Sequence, residues 1–101
     1  METIEELASA FLEEGYRDLN TIVCGIQSKD SVTIARAAQH LAMHSALIGA
    51  EPLLKAAQEL FAAAQDPRAL LITALPSVAQ AFADVESEIR VAMDREVPLF
   101  I

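Results

Sequence analysis

The chain has 101 residues, 53% of them hydrophobic, and a formal net charge of -8 at pH 7, which supports one compact core and is too short for two ordinary domains. Seven Lys and Arg scattered along an acidic chain do not form the clustered basic face that phosphate backbones require, so a protein or small-molecule partner is expected and nucleic acid is not. The longest apolar run, Ala69 to Leu75, ends at Pro76 and is far shorter than the ~20 residues of a membrane span, so no membrane partner is expected.

Few glycines, prolines and aromatic residues, with much alanine and leucine, favour helix over sheet. Thr3 and Glu6 have the spacing of a capping box. Ile4, Leu7, Phe11, Leu12, Tyr16, Leu19, Ile22, Val23 and Ile26 then recur at helical intervals, predicting a long first helix, bent or divided near Gly15. Cys24 is the only cysteine; it is expected to be buried in this helix and leaves no intrachain disulfide. The start Met1-Glu2-Thr3-Ile4-Glu5 lacks the basic and apolar regions of a signal peptide, and a cytoplasmic location is expected.

After the polar stretch Gln27-Ser28-Lys29-Asp30, Ser31 is placed to cap a second helix whose buried stripe is Ile34, Ala38, Leu41, Ser45 and Ile48, ending at Gly49. Glu51-Pro52 restarts the chain, and Leu53, Ala57, Leu60, Phe61 and Ala64 mark the inner face of a third helix. Asp66-Pro67 repeats the start signal. Leu71, Leu75, Val78, Phe82, Val85, Ile89 and Ala92 form the seam of a fourth helix, which Pro76 is expected to kink or split. Each helix alone would leave an apolar stripe in water, so the expected fold is a single all-α domain over 1–101, an antiparallel up-and-down four-helix bundle. The apolar tail Val97-Pro98-Leu99-Phe100-Ile101 is expected to fold back on the bundle or contact a partner.

The segment Ala38-Gln39-His40-Leu41-Ala42-Met43-His44-Ser45-Ala46-Leu47-Ile48-Gly49-Ala50 resembles the signature A-H-x-L-K-G-S-x-x-x-I-G-A of histidine-containing phosphotransfer (Hpt) domains. Ala38, Leu41, Ile48, Gly49 and Ala50 match it without a gap. The resemblance extends to Phe11-Leu12-Glu13-Glu14, to the approach from Asp30 to Arg36, and to Leu53 through Phe61, covering roughly Glu5 to Ile89. It implies an Hpt-like bundle in which Gln39 stands at the phospho-accepting histidine, Ala42 at the lysine, Met43 at the glycine and His44 at the serine. An Hpt histidine attacks an aspartyl phosphate with a ring-nitrogen lone pair, while the lysine offers positive charge to the phosphoryl oxygens. The Gln39 amide nitrogen is not nucleophilic and Ala42 carries no charge. What the resemblance implies is therefore a non-catalytic pseudo-Hpt protein of two-component phosphorelay signalling, with no cofactor, that binds a response-regulator receiver domain or a histidine kinase.

At ~100° of rotation per residue, Ile34, Ala37, Leu41 and Ile48 lie on the side of the second helix opposite Gln39, which turns Gln39 outward. Val32, Ala35, Met43, Ala46 and Ala50 fall within about 60° of Gln39, with Arg36 at the edge and His40 on the flank, and the expected partner-binding residues are Val32, Ala35, Arg36, Gln39, His40, Ala42, Met43 and Ala46. His40, the one weak substitute acceptor, is expected to be a partly exposed surface residue, and His44 to hydrogen-bond a neighbouring helix. The two histidines have an i, i+4 spacing that suits a metal, but no carboxylate or cysteine in the sequence pattern completes a site, and none is expected. The competing expectations are an active phosphotransfer protein that uses His40, and a helical assembly module whose strip forms a homodimer.

Overall fold

The computed structural model describes residues 4–66 and 71–94. Its elements are four helices: α1 (Ile4–Ser28), α2 (Ser31–Leu47), α3 (Glu51–Ala64) and α4 (Leu71–Asp94). Each packs on the next and α4 closes back on α1, giving the expected all-α, up-and-down four-helix bundle. The capping pair at Thr3, the Asp66-Pro67 start signal and the tail 97–101 fall wholly or partly outside the described residues.

The short connections explain the antiparallel course. At the end of α1, Lys29 adopts a left-handed φ of 57°. Its N–H donates to the Ile26 carbonyl at 3.2 Å, and the Asp30 N–H to that of Gly25 at 2.8 Å, so two of the free carbonyls in the last turn of α1 are satisfied as the chain reverses. The same residue opens the next helix: Asp30, and not Ser31, is the N-cap of α2. One carboxylate oxygen accepts the Thr33 N–H at 3.2 Å and the other the Thr33 hydroxyl at 2.6 Å, which holds the Asp30 carboxyl below its usual pKa. Ser31 already lies inside the first turn. At the end of α2 the device recurs with Gly49 at φ 72°; Gly49 and Ala50 donate to the carbonyls of Ala46 and Ser45, and Pro52 sits in the first turn of α3.

Ile22, Ile34, Leu41, Leu53, Leu60 and Val78 are fully buried, so every helix contributes to one core. The division offered at Gly15, the split offered at Pro76 and the burial of Cys24 are not found. Gly15 does not divide α1, which runs as one helix: the absent side chain makes room for the ring of Phe82, which a Cβ at Gly15 would overlap. Pro76 does not split α4. It lies in the second turn, where its missing N–H forfeits a bond to the carbonyl of exposed Ile72, a group water satisfies. Cys24 is exposed, because Ile22 and Gly25 hold the inward positions and Cys24 falls about 100° from one and 200° from the other.

The stripe of α1 is also shifted. Leu7 and Tyr16 are 47% and 46% exposed, while Ala8, Phe11, Gly15, Asp18, Ile22 and Gly25 face inward at intervals of three and four. Two glycines and an acid on that stripe are what hydrophobic counting passes over.

Candidate functional site

The predicted strip lies on the outer face of α2. Gln39 is exposed, as are Val32 at 62% and Met43 at 60%. Val32, Ala35, Arg36 and Gln39 join Phe61, Ala64 and Gln65 in lining a shallow groove of about 440 Å³ between α2 and α3. Phe61, expected on the inner face of α3, is only partly buried and forms the wall of this groove. Met43 and exposed Ala46 continue the strip along α2, one and two turns past Gln39, while Ala42 is half-buried against the core.

His40 leaves the strip for the other flank of α2. The ring is partly exposed, as expected, and it is also tethered: its Nδ1 stands 2.9 and 2.8 Å from the two carboxylate oxygens of Asp18 on α1. Asp18 is 7% exposed. Burial pushes its carboxyl above the usual range, and the hydrogen bond and charge of His40 offset this only in part. Nδ1 donates to the carboxylate, which leaves the lone pair of a neutral ring on Nε2.

Among the described residues His44 makes no hydrogen bond to a neighbouring helix, contrary to expectation. Its Nδ1 is the one buried side-chain nitrogen or oxygen among the described residues with no hydrogen-bond partner. The ring meets that of His40 edge-on, with centroids 4.2 Å apart and planes at 82°. Asp18, His40 and His44 each place one potential ligand atom within 4.8 Å of the others. The carboxylate that the pattern on α2 lacked thus comes from α1, and its signal was available: an aspartate at a buried register position, four residues before Ile22.

A larger cleft, about 1080 Å³, opens between the first half of α1, the α2–α3 corner and the second half of α4. Leu7 and the 81%-exposed Leu47 stand on its rim, His44 borders it, and Gln39 takes no part in it. Nothing in the sequence pattern marked this cleft, because its walls come from three segments far apart in the chain.

No family model matches the sequence, and no curated protein or solved structure matches the chain. No helix among the described residues is long and apolar enough to cross a membrane.

Proposed function

We propose that this protein is a pseudo-Hpt module: it docks a receiver domain, or the receiver-binding face of a histidine kinase, through the outer strip of α2 and carries no phosphate. The observation that supports this reading is Gln39 itself, exposed beside the α2–α3 groove and flanked by exposed Val32 and Met43. At the point where phosphotransfer needs a nucleophile, an amide faces solvent, and the surrounding surface is apolar and adaptable enough to bury against a partner. Such a protein acts by occupancy. It competes with an active phosphotransfer domain for the receiver, or shifts the receiver between states by binding one of them more tightly.

A second reading, phosphotransfer through His40, is favoured by one observation. An ionised Asp18 can only accept, so it sets Nδ1 2.8 Å away as the donor, the arrangement that leaves Nε2 as a nucleophile, and the His40 side chain remains 41% exposed. The docking reading is preferred because His40 lies off the strip and Ala42 brings no charge toward the phosphoryl group.

One experiment separates the two. Receiver domains from the native host, phosphorylated and not, are mixed with the protein; binding is followed by NMR titration, and phosphate by mass spectrometry under alkaline conditions that preserve phosphohistidine. Docking predicts saturable binding to at least one receiver with no phosphate on the protein. Stoichiometric phosphohistidine on His40 would replace the docking reading with phosphotransfer.

A further inference from the structure

We infer that Asp18, His40 and His44 form a binding site for a divalent transition-metal ion of the zinc class. Two imidazoles one turn apart on α2 and a carboxylate from α1 are the donor types such ions take, and one ligand atom of each lies within 4.8 Å of the other two. Both oxygens of the buried Asp18 carboxylate face His40 Nδ1. His44 Nδ1 is shut off from solvent with no hydrogen-bond partner among the described residues. An idle buried nitrogen costs stability, and a metal ion bound by the cluster supplies a reason for a histidine in that position.

Donors held ~2.0 Å from a tetrahedral zinc stand ~3.3 Å apart. The Asp18–His40 separation of 2.8 Å is already inside that value, and the separations from His44 lie within 4.8 Å. The ion takes the place of the proton between Asp18 and His40: the neutral ring changes tautomer through solvent, so that Nε2 carries the proton and the Nδ1 lone pair binds the ion. Three protein donors leave at least one coordination position for water or for a donor from another molecule, and His44 borders the large cleft. Bound in this way, the ion ties α1 to α2 and occupies His40. The inference does not rest on the docking reading, since the cluster and the Gln39 strip lie on different flanks of α2.

The test uses the full chain carrying Cys24→Ser, because the exposed thiol of Cys24 is itself a zinc ligand. Metal-free protein is titrated with Zn²⁺ by calorimetry, with Co²⁺ by visible absorption, and with Zn²⁺ while the imidazole nitrogens are followed by NMR. The expected result is one ion per chain, removable by EDTA, with the imidazole signals of both His40 and His44 shifted. Asp18→Asn and His44→Gln each weaken it by about ten-fold or more. Unshifted imidazole signals in excess Zn²⁺ overturn the inference, as does undiminished affinity in folded His44→Gln. Should a variant unfold, the imidazole spectra of the Cys24→Ser protein decide alone.

Discussion

Gly15 is the residue on which the α1–α4 seam turns. The Phe82 ring, 2% exposed, lies over it, with Tyr16 meeting that ring edge-on at 5.3 Å and Phe11 tilted against it at 6.0 Å. Aromatic neighbours on two sides leave the ring little room to retreat. In an open helix, Gly→Ala gains ~1 kcal/mol from propensity. Here the methyl group is driven into a packed ring, and overpacking of this kind costs ~1–3 kcal/mol or more. Gly15→Ala is therefore expected to lower the urea midpoint in spite of its better helix propensity, and adding Phe82→Leu to recover part of the loss. A higher midpoint for Gly15→Ala alone would show that α1 and α4 do not approach closely at this point.

Among the elements, α2 divides its labour by face. Leu41 is fully buried, and Leu41→Ala is expected to cost ~2–5 kcal/mol by leaving a cavity. His40 would be a neutral site to truncate if it were an ordinary surface residue. Its bond to Asp18 changes that: His40→Ala strands a buried carboxylate, at a cost on the order of 1–3 kcal/mol, reduced to the extent that water enters beside the half-exposed ring. Chemical denaturation should thus rank Leu41→Ala below His40→Ala and both below the parent, and parent-like stability of His40→Ala would mean that the Asp18 bond is not formed in solution. The contrast marks how far the sequence could be read. The four helices and the outward face of Gln39 were legible because they follow from local periodicity. The register of α1 was not, since Leu7 and Tyr16 fit a helical stripe as well as Gly15 and Asp18 do by spacing, and better by hydrophobicity. The Asp18–His40–His44 cluster was half legible: its histidines are neighbours on one helix, but the carboxylate lies 22 positions before His40 and is brought there only by the packing of α1 on α2. The cleft beside His44 was invisible for the same reason.

At the scale of the whole molecule, the bundle extends 46 × 23 × 19 Å and presents two separate surfaces, the Gln39 strip with its α2–α3 groove and the cleft between α1, α4 and the α2–α3 corner. The functional account places docking on the first. Its acidic net charge of -8 sets long-range steering but not the docking face, which is mainly apolar, so affinity should come from burial of Val32 and Met43 and depend only weakly on salt. The most direct measurement is the affinity of Met43→Glu for the receiver that the parent binds. Met43 is 60% exposed, so the substitution leaves helix content and unfolding midpoint nearly unchanged. At an interface it would bury an unpaired carboxylate, a penalty of several kcal/mol that a transient contact cannot absorb. Glu13→Gln, an exposed position on α1, alters charge without touching the strip and serves as the control. The account predicts that Met43→Glu loses binding by about two orders of magnitude or more, on the basis of that penalty, while Glu13→Gln binds as the parent does. Parent-like affinity in a folded Met43→Glu protein would contradict the docking face, and with it the pseudo-Hpt function.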